Sequence, residues 1–234
     1  MARSREPEGG IVVVLDLDGT VADTAGDLIR SANTALVSEG FGEAPPQAIK
    51  AGVGYGSKAM LHSGLTALGR EASREQIERM AAKLVSHYEE NIAVETHLFP
   101  GFIEAAAVLQ SWGAKLLLCT NKRETLVLKL LSALQIADLF DAIAGGDSFP
   151  YHKPDPRHIT ELVALARGSL SAALMIGDSE ADVAAARGAG IPVAVTVFGY
   201  AAVPAKDLMA DAVIGHFSEL PGLVDALLGK AARP

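Results

Sequence analysis

Cysteine is nearly absent from this sequence: one residue, Cys119, among 234. No intramolecular disulfide is possible, and nothing in the thiol content points to an oxidising compartment. Positive charge is also scarce. Twenty Lys and Arg stand against 28 Asp and Glu, for a formal net charge of −8. The chain therefore lacks the basic footprint that dominates nucleic-acid binding, and an anionic membrane surface would repel it. An anionic ligand must be attracted by local cations rather than by the field of the whole molecule. Long apolar runs are missing too, with no stretch near the ~20 residues that span a bilayer. Arg3 and Arg5 precede an apolar run, Ile11 to Leu15, but that run is too short for a signal-peptide core. The expected location is the cytoplasm, and neither nucleic acid nor a membrane is an expected partner. Internal repeats and low-complexity segments are absent.

Half of the residues are hydrophobic and 21% are charged, which is the composition of a globular chain with a large core. Residues 1–10 read as a loose polar tail. The run Ile11–Leu15 is short, continuously apolar and β-branched, the pattern of a strand buried on both faces. Similar runs recur at Lys115–Cys119, Ala142–Ala144, Ala173–Ile176 and Val193–Val197. Helical patterns fall between them, at Gly101–Trp112, Arg123–Leu134, Pro156–Arg167 and Glu180–Arg187. Alternation of this kind predicts right-handed βαβ units and an α/β, Rossmann-like parallel sheet with helices on both faces. Gly113, Gly168 and Gly188 are expected as left-handed helix stops. Residues 24–95 break the rhythm, with several helical patterns and no convincing strand. The clearest helix opens on a capping box, Ser73 with Gln76, followed by one apolar stripe through Ile77, Met80, Ala81, Leu84, Val85 and Tyr88. The expected organisation is a core of residues 1–23 and 96–234, with an all-helical unit, 24–95, inserted after the first strand.

Four polar clusters fall at the C-terminal ends of predicted strands, where ligands of open α/β sheets bind. Asp16-Leu17-Asp18-Gly19-Thr20 follows the first strand. Its two carboxylates at i and i+2 point to one side of an extended chain, and paired anions of this type suit a hard cation such as Mg2+. Gly19 lets the backbone turn and present its amides. Thr120-Asn121-Lys122 follows the next core strand and, with the start of a helix, makes an anion cradle, although either Thr120 or Asn121 also suits a helix cap. His152-Lys153-Pro154-Asp155-Pro156 sets a lysine rigidly between prolines, where an ammonium offsets clustered carboxylates and holds a phosphoryl group. In Gly177-Asp178-Ser179-Glu180-Ala181-Asp182, Asp178 ends a strand and Asp182 lies one helical turn on, able to face the same site. Cap and dipole roles are the bland alternatives for both acids.

In this order and spacing the four clusters resemble the haloacid dehalogenase superfamily, over nearly the whole chain from Ile11 to about Leu220. The resemblance implies a magnesium-dependent phosphatase, with the helical insert as a small mobile cap. It implies Asp16 as nucleophile and Asp18 as general acid/base, with Thr120 and Lys153 on the transferring phosphoryl group. Asn121 supports them, and Gly19 adds to phosphate binding. Asp16, Asp178 and the Asp18 backbone carbonyl become metal ligands, and Asp182 an outer residue that orients the lysine. Dehalogenase and phosphonatase branches lack a second aspartate at the position of Asp18, which disfavours carbon–halogen and carbon–phosphorus cleavage. More locally, Leu98-Phe99-Pro100-Gly101, Gly145-Gly146-Asp147 and Phe198-Gly199-Tyr200 are similar to bacterial phosphoglycolate phosphatases. The expected substrate is a small phosphorylated metabolite, 2-phosphoglycolate first. The alternatives are a pyrophosphatase, sugar phosphatase, nucleotidase or β-phosphoglucomutase-like isomerase, in a monomer or homodimer. In the insert, Gly52-Val53-Gly54-Tyr55-Gly56-Ser57-Lys58 is the candidate specificity loop, with Lys58 as a reader of a substrate carboxylate.

Overall fold

A computed structural model describes residues 10–201 and 203–229; most of the expected N-terminal tail lies outside them. The sheet is built from β1 (Val12–Leu15), β4 (Lys115–Cys119), β5 (Ala142–Ala144), β6 (Ala173–Gly177), β7 (Val193–Thr196) and β8 (Ala212–Ile214). Its order is β5-β4-β1-β6-β7-β8, with every neighbouring pair parallel. Five of the six strands are the apolar runs read from the sequence. The sixth, β8, is too short and mixed to announce itself: Val213 is exposed at the sheet edge.

The period-two geometry of a strand explains why β1 has no polar residue. Val13 and Leu15 face one side, with α5 (Phe102–Ser111), α6 (Glu124–Ala133) and α9 (Leu220–Leu228). Val12 and Val14 face the other, with α7 (Arg157–Leu165) and α8 (Glu180–Ala189). Both faces are sealed, so alternation disappears from the sequence. Burying each Val or Leu side chain contributes about 1.5–3 kcal/mol, which makes this strand the spine of the core.

A short antiparallel ribbon, β2 (Ala22–Asp23) with β3 (His97–Leu98), closes the base of the insert. Between these strands lie α1 (Ala25–Ser38), α2 (Pro46–Lys50), α3 (Ser57–Ala67) and α4 (Arg74–Glu90). The capping box forms as read: Gln76 N–H donates to Ser73 Oγ and Ser73 N–H donates back to Gln76 Oε1. Ile77, Met80, Ala81, Leu84 and Tyr88 are buried along one stripe.

Two of the three expected left-handed glycines do something else. Gly113 has φ 76°. At the other helix ends, however, Arg167 (φ 52°) and Gly190 (φ 72°) take the left-handed position. Gly168 and Gly188 are small for packing: an added Cβ would come within 2.8 Å of Val12 on β1 and within 3.0 Å of Pro156, respectively.

Candidate active site

Parallel register carries the clusters to one rim. Leu15 aligns with Leu118 on β4 and with Ile176 on β6, so the residues that follow all emerge side by side. The Asp16 N–H donates to the Ile176 carbonyl at 2.9 Å, and the Thr120 N–H to the Ala144 carbonyl at 3.0 Å. The chain leaves β1 for β4 on one side and later returns to β6 on the other. The rim at β1 is thus a topological switch point, where open sheets part to form a crevice. A cavity of about 210 Å³ opens there between the sheet rim and the insert, lined by Asp16, Asp18, Thr120 and Lys153 from below and by residues such as Met60 and Tyr88 from above.

Asp16 is 8% exposed. The Leu17 N–H donates to its Oδ1 at 2.7 Å, and Lys153 Nζ stands 3.0 Å from the same atom. Oδ2 is therefore the less engaged oxygen. Burial pushes this carboxyl up to about 6, against the pull of Lys153, and the charges of Asp182 and Asp18 add to the rise. Asp178, equally buried, is raised well above the usual carboxylate range, first by burial and then by Asp16. Tyr200 N–H donates to its Oδ2 at 2.5 Å, and Thr20 Oγ1 donates to Oδ1 at a long 3.4 Å.

One carboxylate oxygen each from Asp16, Asp178 and Asp182 lie within 4.8 Å of one another. Asp182 is the least available of the three. Its Oδ1 holds Lys153 Nζ at 2.5 Å, and its Oδ2 accepts from Ser179 Oγ and from the N–H groups of Asp178 and Ser179. Asp16 and Asp178 remain: two buried anions whose charge burial and mutual repulsion both oppose, with one shared lysine nearby. That donor set, hard oxygens only, fits a divalent cation of the Mg2+ type. It also separates roles that the sequence left merged. Asp182 pairs with Lys153, and it is the N3 partner of a capping box whose cap is Ser179, so Asp178 is not the cap.

Asp18 departs from the expected pairing. Its carboxylate does not join the cluster; Lys122 Nζ donates to both of its oxygens, at 2.7 and 2.9 Å, and Thr24 Oγ1 donates to Oδ1 at 2.6 Å. The Lys122 side chain is 6% exposed and lies 4.6 Å from the centre of the Tyr88 ring on α4. Burial would discharge this lysine, but Asp18 holds it charged. Lys122 is the functional residue that sequence reasoning missed. Its signal was present, as a cation next to Thr120-Asn121 with an anion, Asp18, that needed a partner.

Thr120 Oγ1 accepts from the Lys122 N–H at 3.3 Å, leaving its own proton for a cavity acceptor. Asn121 Nδ2 donates to the Lys153 carbonyl at 2.9 Å and so pins the loop that carries the lysine. Gly19 does not offer its amide to a ligand, because that N–H donates to the Ala22 carbonyl at 3.0 Å. Its φ of 82° and its packing against Asp178 account for the glycine instead. Lys58 turns away from the cavity: it pairs with Glu78 at 2.6 Å and its side chain is 55% exposed. The rest of its loop does face the rim, through Gly56 and Ser57 in the cavity wall and a hydrogen bond from Tyr55 Oη to Glu180 of α8 at 3.0 Å. Cys119 is buried, and burial pushes its thiol up to about 12, which leaves it inert.

Residues 13–196 match the family model described as haloacid dehalogenase-like hydrolase. The chain is 38% identical over 225 residues to a phosphoglycolate phosphatase of Caulobacter vibrioides, covering 96% of this chain and 95% of the relative. It is 39% identical over 209 residues to a phosphoglycolate phosphatase of Mesorhizobium japonicum, covering 89% and 92%. Among solved structures, a predicted phosphoglycolate phosphatase from Haemophilus somnus superposes with a TM-score of 0.85 at 25% identity, covering 92% of this chain and 98% of that one. Sheet order, the carboxylates at the switch point and similarity over nearly the full length agree, and the chain belongs to the haloacid dehalogenase-like hydrolase family.

Proposed function

We propose that this chain is a phosphatase that hydrolyses 2-phosphoglycolate to glycolate and phosphate through a phospho-aspartyl intermediate on Asp16, with Mg2+ as cofactor. One observation carries the reading: the Asp16 carboxylate, with Oδ2 free, lies beside Asp178 and 3.0 Å from Lys153 on the floor of the cavity. Similarity to phosphoglycolate phosphatases at 33–39% identity supports the substrate.

Asp16 Oδ2 attacks phosphorus as the bond to the ester oxygen breaks, and the phosphoryl group passes to the aspartate. Lys153 and the Thr120 hydroxyl face the charge on the phosphoryl oxygens. As substrate enters, Asp18 takes up a proton from solvent, and it gives that proton to the departing alkoxide. It then takes one from the water whose oxygen attacks phosphorus, which frees phosphate and restores Asp16. The Lys122 and Thr24 contacts hold the Asp18 carboxylate where it can meet the ester oxygen. Asp16, Asp178 and the Asp18 carbonyl are the ligands we assign to Mg2+, which when bound neutralises charge on the transferring group. Residues 24–95 act as a cap over the 1–23 and 96–234 core, and closure of the cap excludes water.

The test is a steady-state panel of phosphate esters, with and without Mg2+. The expected result is Mg2+-dependent phosphate release, fastest for 2-phosphoglycolate, and a loss of at least ~10³-fold in kcat for Asp16→Asn. A flat panel removes the substrate, and full activity in Asp16→Asn removes the mechanism.

A further inference from the structure

The substrate proposed above carries two anionic ends, and the contacts so far described serve only one. Three cations line the cavity: Lys122, Arg123 and Lys153. Lys153 is held by Asp16 and Asp182, and Lys122 by both oxygens of Asp18. Arg123 has no such partner among the described residues. It occupies the N-cap position of α6, where a donor-only guanidinium cannot cap, and it is exposed. It also lines the adjoining groove of about 550 Å³ that runs past His152 and Glu180, so it stands on the wall between the two openings.

We propose that Arg123 is the residue that selects a carboxylate-bearing phosphate ester, by pairing with the substrate carboxylate while the phosphoryl group rests against Asp16. This inference rests on the phosphatase reading above and adds the group that recognises the leaving end. In 2-phosphoglycolate a single methylene separates the ester oxygen from the carboxylate, so the reader must sit on the same rim as the phosphoryl cradle. Arg123 is three residues from Thr120 in the same loop, whereas Lys58 is turned outward onto Glu78. Charge points the same way. The cavity's acids, Asp16 and Asp18, already match Lys153 and Lys122, and the protein as a whole is at −8. Asp147 and Glu180 line the groove on its other side, but neither pairs with Arg123, so a trianionic substrate meets there a guanidinium without an ion pair among the described residues, a planar group suited to a bidentate carboxylate. The uncapped first turn of α3, with Gly56 and Ser57 in the opposite wall, adds partial positive charge to the same space.

The experiment measures kcat/KM for wild type, Arg123→Ala and Arg123→Lys on 2-phosphoglycolate and on phenyl phosphate, a monoester without a carboxylate, at saturating Mg2+. Expected is a loss of roughly 10- to 100-fold for Arg123→Ala on 2-phosphoglycolate, mostly in KM, with a fall on phenyl phosphate at least tenfold smaller. Arg123→Lys keeps the charge without the fork and falls between. Equal losses on both substrates, or no loss on 2-phosphoglycolate, overturn the inference while the phosphatase reading stands. A wild type that turns over phenyl phosphate and leaves 2-phosphoglycolate untouched overturns the substrate reading, and the inference with it.

Discussion

At the scale of single residues, the site is a set of charges that each need a stated partner, and His158 shows the same demand away from the chemistry. Its ring is fully buried, and Nε2 lies 3.1 Å from the Gly145 carbonyl. A carbonyl only accepts, so Nε2 carries the proton, and Nδ1 has no hydrogen bond among the described residues. Burial, reinforced by Lys153, pushes the imidazole down to about 4 from 6.5. Between those values the unfolded chain binds the proton and the folded chain does not. His158 therefore contributes stability that is whole above about pH 6.5 and falls as the pH drops toward 4. Asp16, raised to about 6 by burial, works with the opposite sign in part of that window, because there the folded state binds the extra proton. The measurement is thus a difference: thermal melts of wild type and His158→Asn from pH 7 to 4. The wild type is expected to lose more stability across the window. Parallel curves would show that His158 titrates normally.

At the scale of elements, the question is how a helical insert is held at a defined position over the sheet rim. Both chain crossings are tied. At the first, Tyr200 Oη donates to Asp23 at 2.7 Å and accepts from the N–H groups of Thr24 and Ala25, while the same residue's N–H holds Asp178. At the second, Asp27 of α1 accepts from the N–H groups of Val94, Glu95 and Thr96, from Thr96 Oγ1 at 2.7 Å, and from Arg30. Burial would raise the Asp27 carboxyl, but these donors bring it below the usual range. Asn in its place would set an NH₂ group against donors and lose the charge. Hydrogen bonds to a charged group are worth ~1.5–3 kcal/mol each; losses within one cluster do not add, so Asp27→Asn should cost about 3 kcal/mol in urea unfolding. A cost under about 0.5 kcal/mol would mean that the β2–β3 ribbon alone fixes the second crossing.

For the whole molecule, the acids at the rim leave stability unrealised until a cation arrives. Asp16 and Asp178 are buried together: burial raises both carboxyls, the Asp16 charge raises Asp178 further, and the crowding of charge weighs on the folded state alone. A ligand that binds only the folded form stabilises by mass action, about 2.7 kcal/mol at a hundred times its Kd. Adding Mg2+ to metal-stripped protein should therefore raise Tm by several degrees, and Asp178→Asn should abolish most of that rise. An equal rise in the variant would place the ion elsewhere.

Neighbours along the chain specify the elements and their kind. Sealed strands such as Val12–Leu15 must be continuously apolar, and a capping box such as Ser73–Gln76 is a local signal whose meaning does not depend on distant residues. The sequence also placed Asp16, Thr120 and Asp178 at strand ends, which parallel register then had to bring to one rim; Lys153 reaches that rim on the loop after β5, held there by Asn121. Which charges pair with which is settled by the folded arrangement. Asp18 found Lys122, 104 residues away, Lys153 found Asp182, and Lys58 left the cavity for Glu78. The reason is physical: a strand or a cap is specified by neighbours along the chain, whereas an ion pair depends on distances in space that no spacing in the sequence encodes.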